Sequence, residues 1–223
     1  MADHDRDHDG AFWDAARDAM VETLRRHGVG DAAILAAMRA VPRHRFIPAA
    51  CLGEDAYGDH PCDIGWGQTI SQPFIVAHMV GLLGIRPGAR LLEVGCGSGY
   101  QAAVLAALGA TVFTLERLEA LARHARAALD ACGYGERVQV RTGDGARGWP
   151  EAAPFDGIVV ACAAPGIPPA LLDQLADGGC LVMPVGSTAQ RLTVVQRHGR
   201  RLEQRHDLWV RFVPPVTPSA APA

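Results

Sequence analysis

The pattern of apolar and polar residues changes near residue 89, and the two parts of the chain predict different structures. Before that point apolar residues recur at helical spacing over 12–24, and again in a segment that follows Asp31 and stops at Pro42. From residue 89 onward, short apolar runs of strand type alternate with helical segments, as is typical of βαβ units. The pattern predicts an α/β protein with an N-terminal helical extension.

The strand-type runs predict a mostly parallel sheet that ends in an antiparallel pair. Helical segments around 100–108, 118–132 and 168–176 lie among the first five runs, whereas no helix-length gap separates the last two. Short connections favour antiparallel pairing. The prediction is a doubly wound, Rossmann-like sheet with strands at 90–94, 111–115, 137–141, 156–160, 180–185, 191–196 and 208–213.

Composition at the two ends sets the expected domain boundaries. Residues 1–10 are polar and acid-rich and are expected to be a flexible tail, and the proline- and alanine-rich residues 214–223 are expected to be disordered. The segment 11–213 is expected to be a single domain, with a helical extension at 11–88 and an α/β core at 89–213. The stretch 41–71 has few regular signals, and a loop of that length inside a compact domain is usually functional or carries short elements of its own.

Overall composition narrows the class of protein. The chain has 223 residues, 49% of them apolar and 20% charged, with a net charge of −3, which is typical of a globular protein and gives no sign of a nucleic-acid partner. No apolar stretch approaches the roughly 18 residues that span a bilayer, and the polar start does not resemble a signal peptide. The six cysteines form no CxxC pair. We therefore expect a cytoplasmic protein with reduced thiols, no metal site and no membrane partner.

A glycine-rich turn follows the first strand of the predicted core, where open α/β folds bind ligands. A dinucleotide fingerprint would require glycine at position 100, but Tyr100 stands there. Glu93, Gly95, Gly97 and Gly99 instead form Glu-x-Gly-x-Gly-x-Gly, which resembles motif I of the S-adenosylmethionine (SAM)-dependent methyltransferases. Taken alone, the same residues also fit a tight turn without a ligand.

Acidic residues follow the next two strands at the same predicted edge. Glu116 ends the second strand, and a carboxylate there can accept hydrogen bonds from both hydroxyls of a ribose. Asp144 and Gly145 follow the third strand, where class I methyltransferases commonly place an acid near the adenine amino group. The alternatives are a solvated acid at the end of a strand and an ordinary Asp-Gly turn. Three such signals at neighbouring strand ends favour a SAM site.

The segment 65–73, GWGQTISQP, is similar to the signature of the protein-L-isoaspartate O-methyltransferases. Further matches follow in order over about residues 20–214, at 41–48, 143–145, 153–156, 174–179 and 184–186. The resemblance implies SAM as cofactor, S-adenosylhomocysteine as product and Ser71 as the catalytic residue. The cofactor-binding residues that it implies are Thr69, Ile70, Ser71, Gln72, Glu93, Gly95, Gly97, Gly99, Glu116, Arg117, Asp144 and Gly145.

The resemblance also implies a reaction: methyl transfer to the free α-carboxyl of L-isoaspartyl residues in damaged proteins or peptides, by a monomeric enzyme. The ester then cyclises to a succinimide, whose hydrolysis returns some normal aspartate. Such a nucleophile is already ionised at neutral pH, so no strong general base is required. The enzyme has to hold the carboxylate in line with the methyl group.

Several residues have competing interpretations. Ser71 precedes Pro73 and could simply cap a helix, whose N-terminus would also favour a bound anion. Cys96 and Cys162 stand where many family members carry threonine; burial is expected, but a Cys162 facing the pocket could alter substrate preference. The pair at 44–45, His-Arg, could contact the substrate or be solvated.

Three other functions remain open at the level of sequence. A related enzyme could methylate one dedicated peptide aspartate or a small carboxylate in a biosynthetic pathway. A binding module could keep the fold without the chemistry, although the intact glycine turn argues against that. A nicotinamide dehydrogenase is disfavoured by Tyr100. The oligomeric state, the order of the last strands and the preferred residues around the substrate are not determined by the sequence.

Overall fold

The computed structural model describes residues 2–53 and 55–215. The N-terminal part contains three helices and a hairpin: α1 (Ala2–Arg26), α2 (Ala32–Ala40), α3 (Pro73–Leu83), β1 (Cys62–Gly65) and β2 (Gln68–Ile70). As predicted, α2 starts at Asp31, whose carboxylate accepts hydrogen bonds from the N–H groups of Ala33 and Ile34. The described part of the expected flexible tail, residues 2–10, is helical and belongs to α1, whereas the flexibility of the tail stays a prediction.

The core is a seven-stranded sheet in the order β5-β4-β3-β6-β7-β8-β9. Strands β3 to β7 are parallel to one another, and β8 and β9 are antiparallel to their neighbours, which confirms the predicted fold class. The elements are β3 (Arg90–Val94), α4 (Tyr100–Ala107), β4 (Thr111–Glu116), α5 (Glu119–Ala131), β5 (Val138–Thr142), β6 (Phe155–Val160), α6 (Pro169–Asp173), β7 (Leu175–Val185), β8 (Gln190–His198) and β9 (Arg201–Val210).

Both faces of the central strands are covered, which explains their unbroken apolar runs. Leu91 and Val112 belong to the larger core, with residues of helices α1 to α5, whereas their neighbours Leu92 and Phe113 belong to a second core with α6. Phe12 is an exception to the predicted apolar face of the first helix, because it is 49% exposed. No helix among residues 2–53 and 55–215 combines the length and the apolar character that a membrane crossing requires.

Two elements differ from the prediction for physical reasons. The helix expected at 168–176 covers Pro169–Asp173 alone, because the chain enters β7 at Leu175. The strand expected at 208–213 begins at Arg201 and ends at Val210. This strand lies at the edge of the sheet with most of its residues exposed, so no alternation of apolar and polar residues marks its start.

A β-bulge redirects the end of β9. The register between β8 and β9 shifts between Arg191 and Thr193. Close to the shift, Oδ1 of Asp207 lies 2.8 Å from Nε2 of His78 on α3. Burial acts to raise the pKa of Asp207, but the hydrogen bonds from His78, from the N–H of Leu208 and from Arg205 together outweigh it and hold that pKa below its usual value. The bulge and this pair place the chain after Asp207 beside α3.

Candidate active site

The glycine turn after β3 borders a cavity at the carboxyl edge of the sheet. Gly95 and Gly97 have φ angles of 87° and 54°, a left-handed conformation that suits glycine, and both line the cavity. Gly99 also has a positive φ of 89° but faces α5 instead, where an added Cβ would lie 3.3 Å from the Cβ of Ala125. The structure therefore gives Gly99 a packing role at the start of α4 and places it outside the cavity.

Glu116 is fixed at the cavity wall by backbone hydrogen bonds. Its Oε2 accepts from the N–H of Gly97 at 2.8 Å, and its Oε1 accepts from the N–H groups of Arg117 and Leu118 at 2.8 and 3.0 Å. The side chain is buried but lines the cavity. These three hydrogen bonds hold the carboxylate in one orientation and leave lone pairs for a ligand.

The loop after β5 forms a second wall of the cavity. Asp144 accepts a hydrogen bond from the N–H of Ala146 at 3.2 Å, and its Oδ1 lies 3.4 Å from a guanidinium nitrogen of Arg117. An added Cβ at Gly145 would lie 2.2 Å from Cγ1 of Val94, so glycine alone permits this approach of the loop to β3. Asp144, Gly145 and Arg117 all line the cavity, as the sequence predicts.

Two buried polar atoms in the cavity wall have no hydrogen-bond partner among residues 2–53 and 55–215. They are Oε1 of Glu93 and Nε2 of Gln101, a residue that the sequence analysis did not single out. Burial raises the pKa of Glu93 to about 8, although the hydroxyl of Thr114 donates to its Oε2 at 2.5 Å. A buried acceptor or donor without a partner is costly, so these atoms fit a polar ligand in the cavity.

Ser71 follows the β1–β2 hairpin and does not cap α3, which was the competing interpretation of this residue. The N-cap of α3 is Gln72, whose own side chain makes no capping bond. Asp59 caps the helix instead, because its Oδ1 accepts from the N–H of Phe74 at 2.8 Å. In the described part of the chain, the hydroxyl of Ser71 forms no hydrogen bond and remains available to a ligand.

A second cavity meets the first at Ser71. Thr69, Ser71 and Ala161 line both cavities, together with Val213 and Pro214 from the last described residues. The other residues of the second cavity come from the α3 side and from the chain after the β9 bulge: Pro61, Gln72, Phe74, Ile75, Leu208, Trp209, Val210, Arg211 and Phe212. Gln72 thus lies at the second cavity, although the sequence places it at the cofactor.

Cys162 lines the first cavity. Residues 44–45 line neither cavity, so the structure does not support a substrate contact there. Burial raises the pKa of the Cys162 thiol to about 11, so this thiol stays neutral at ordinary pH. His44 lies outside both cavities, 2.8 Å from the hydroxyl of Tyr57 through its Nδ1 and stacked on the Trp13 ring. Arg45 does not line either cavity.

Sequence reasoning missed the residues that come from the ends of later elements. Ala161 and Met183 line the first cavity, beside Cys162, which the sequence had already offered as a pocket residue, because the parallel strands β6 and β7 end at the same edge as β3 and β4. Pro214 and Pro215 also line it, although the sequence assigns them to a disordered tail. The remainder of that tail, residues 216–223, lies outside the described residues.

The fold and the cavity at the carboxyl edge of its sheet define a class I SAM-dependent methyltransferase architecture. A family model described as protein-L-isoaspartate(D-aspartate) O-methyltransferase (PCMT) matches residues 15–220. The protein-L-isoaspartate O-methyltransferase of Methylorubrum extorquens (strain PA1) is 56% identical over 202 residues, which cover 89% of this chain and 87% of that protein.

Two solved structures are similar over nearly all of the chain. The first is a protein-L-isoaspartate O-methyltransferase with a TM-score of 0.82 and 26% identity. The match covers 90% of this chain and 66% of the chain in that structure. A putative protein-L-isoaspartate O-methyltransferase from Plasmodium falciparum, in complex with S-adenosyl-L-homocysteine, matches 89% of this chain and 97% of its own, with a TM-score of 0.77 and 25% identity. The chain belongs to the protein-L-isoaspartate(D-aspartate) O-methyltransferase family.

Proposed function

We propose that the protein transfers a methyl group from SAM to the free α-carboxyl of L-isoaspartyl residues in damaged proteins or peptides. The observation that carries the proposal is the position of Ser71, an unbonded hydroxyl at the junction of two cavities. One cavity suits the cofactor and the other suits a peptide. A methyl donor and a carboxylate can therefore approach each other at this hydroxyl.

The first cavity has the polar groups that SAM requires. Glu116 would accept hydrogen bonds from the ribose hydroxyls, and Asp144 would face the adenine amino group. The unpartnered atoms of Glu93 and Gln101 fit the amino-acid end of the cofactor. Bound SAM supplies an electrophilic methyl group on a sulfonium.

In this proposal the residues around Ser71 orient the substrate and need not remove a proton. A carboxylate is ionised at neutral pH and attacks as it is. The hydroxyl of Ser71 donates a hydrogen bond to one carboxylate oxygen and leaves the other free to attack. The N-terminus of α3 contributes less than the sequence suggests, because the carboxylate of Asp59 already occupies it.

The second cavity supports a peptide as the substrate. It is lined largely by apolar and aromatic side chains, including Phe74, Trp209 and Phe212. Surfaces of this type hold a peptide without demanding one sequence. A repair enzyme needs such tolerance, since isoaspartate arises in many sequence contexts. We place the activity in the cytoplasm and expect a monomer.

Two synthetic peptides test the proposal if they are identical except for isoaspartate or aspartate at one position. With labelled SAM, we expect base-labile methyl incorporation into the isoaspartyl peptide alone. Label in neither peptide, with SAM binding intact by calorimetry, would favour the related enzyme with one dedicated substrate. Binding of a nicotinamide cofactor in place of SAM would contradict both readings.

A further inference from the structure

Cys62, the first residue of β1, lies outside both cavities with two basic side chains beside its sulfur. Its Sγ is 3.9 Å from Nδ1 of His60 and 4.0 Å from Nη2 of Arg43. The carbonyl oxygen of His60 also lies 4.0 Å from the sulfur. The side chain is half-buried, so small reagents in solution can reach the sulfur.

Arg43 is a buried cation without a carboxylate partner in the described part of the chain. It is 0% exposed; its Nε donates to the carbonyl of Ala56 at 2.8 Å, and its Nη1 has no partner. The guanidinium also lies 5.1 Å from the centre of the Tyr100 ring. A buried charge without a counter-charge is costly. Nη2 of this guanidinium lies 4.0 Å from Sγ of Cys62, where a positive charge favours attack by the sulfur on an electrophile.

His60 is held as a second cation. Its Nε2 lies 2.5 Å from Oδ2 of Asp55 and its Nδ1 lies 3.1 Å from the carbonyl oxygen of Pro61. Both nitrogens therefore face oxygen acceptors, and only the doubly protonated ring satisfies both. The hydrogen bond with Asp55 raises the pKa of His60 above its usual value.

Gly58 makes room for the Asp55–His60 pair. An added Cβ at this position would lie 2.5 Å from Oδ1 of Asp55 and 2.6 Å from Nε2 of His60. The φ angle of Gly58 is not in the left-handed region, so alanine could adopt the same backbone conformation. The absence of a side chain here therefore matters to the pair rather than to the fold of the backbone.

We propose that Cys62 is a nucleophilic thiol that hydroperoxides oxidise, and that this oxidation disables the adjacent active site. The thiolate sulfur attacks one peroxide oxygen, so that an S–O bond forms and the O–O bond breaks. The sulfur loses two electrons and becomes a sulfenic acid, and the peroxide is reduced. The departing hydroxide takes a proton from the imidazolium of His60 and leaves as water.

The position of Cys62 in the hairpin connects this oxidation to the active site. Cys62 pairs with Ile70 across the hairpin, and Ser71 is the next residue. An oxygen added to the sulfur changes its contacts with Arg43 and His60, both within 4.0 Å, and we expect β1 to shift in response. A shift of β1 moves β2 and with it the hydroxyl at the junction of the two cavities. This consequence rests on the proposed function, whereas the reactivity of the thiol does not.

Alkylation by iodoacetamide, followed site by site by mass spectrometry, tests the reactivity. We expect Cys62 to react about tenfold faster than Cys51, which is also half-buried and free but has no basic side chain at its sulfur in the part of the chain that the structure describes. His60→Gln and Gly58→Ala should each slow the alkylation of Cys62 several-fold and leave that of Cys51 unchanged. Equal rates at the two cysteines, or no response to either variant, would overturn the proposal.

Hydrogen peroxide tests the consequence for the active site. Wild type should lose methyl transfer to the isoaspartyl peptide and regain it with a thiol reductant, whereas Cys62→Ser and Cys62→Ala should resist inactivation. Loss of activity at the same rate in these variants would overturn the link to the active site. Because alkylation is measured without methyl transfer, failure of the proposed function would leave the alkylation result unaffected and be recognised separately.

Discussion

Ser71 lies where the two cavities meet. Among the described residues the hydroxyl of Ser71 makes no hydrogen bond, and Asp59 caps α3. The side chain of Ser71 therefore contributes no hydrogen bond to the fold. Ser71→Ala should lower turnover of an isoaspartyl peptide about tenfold or more, because a hydrogen bond to a charged carboxylate is lost. Steady-state kinetics measures this effect.

The same variant separates the catalytic interpretation from the capping one. Calorimetry should give nearly unchanged SAM affinity for Ser71→Ala, and thermal unfolding should give an unchanged melting temperature. A variant that loses stability and cofactor binding in proportion to its activity would restore the capping role and contradict this account.

Glu93 makes the free energy of unfolding depend on pH, and one substitution at this residue can measure that dependence. Burial raises the pKa of this carboxyl to about 8 in the folded state, so the folded protein holds a proton that the unfolded chain has released. The contribution of Glu93 to stability is therefore complete below its unfolded pKa and is lost as the pH rises toward 8. Within that window the loss is about 1.4 kcal/mol per pH unit.

Glu93→Gln removes this titration while keeping an oxygen that accepts from Thr114. Denaturant unfolding without cofactor should show a free energy of unfolding for the variant close to wild type near pH 5 and higher than wild type near pH 8. A constant difference between the two proteins at all pH values would show that Glu93 does not titrate in this range.

At the scale of elements, α3 depends on a cap that comes from outside the helix. Asp59 accepts from the N–H of Phe74 and also pairs with His27 at 3.1 Å. Asp59→Ala should lower the free energy of unfolding by about 1 kcal/mol. Because α3 begins two residues after Ser71, the variant should also raise the KM for the peptide more than the KM for SAM.

Asp31→Ala is the matched control for this prediction. Asp31 caps α2 in the ordinary local way, through hydrogen bonds to Ala33 and Ile34. The variant should lose similar stability in denaturant unfolding without a change in the KM for the peptide. Equal kinetic effects in the two variants would mean that Asp59 affects the site through overall stability alone.

Elements also divide into those that the sequence predicts and those that it does not. The central strands, the glycine turn and Glu116 are predictable, because burial on both faces and positive φ angles leave a local pattern. The cap by Asp59 joins residues 15 positions apart, and no local pattern encodes it. The start of β9 escapes prediction because an exposed edge strand needs no apolar alternation.

At the scale of the whole molecule, residues 211–215 return to line the two cavities. Gln190 holds this segment on both sides: its Nε2 donates to the carbonyl of Phe212 at 3.0 Å, and its Oε1 accepts from the N–H of the same residue at 2.6 Å. The N–H of Ala163 also donates to the carbonyl of Val213. Composition does not predict this contact with the cavities, because a segment rich in proline and alanine is expected to be disordered.

Release of this segment should weaken both cavities at once. Gln190→Ala should lower kcat/KM for the peptide about fivefold, equivalent to roughly 1 kcal/mol, and should also raise the KM for SAM. Gln196→Ala is the control, because Gln196 lies on the same strand and donates to the carbonyl of Gly178, away from both cavities. Similar kinetic losses in both variants would contradict a specific role of the chain end.

Conversion of an isoaspartyl peptide to its normal aspartyl form tests the central claim most directly. The peptide is incubated with the protein and SAM through repeated cycles, and the two forms are separated and quantified by chromatography. The account predicts that the isoaspartyl form declines and the aspartyl form accumulates only when both protein and SAM are present. Persistence of the isoaspartyl peptide, with SAM bound but no ester formed, would contradict it.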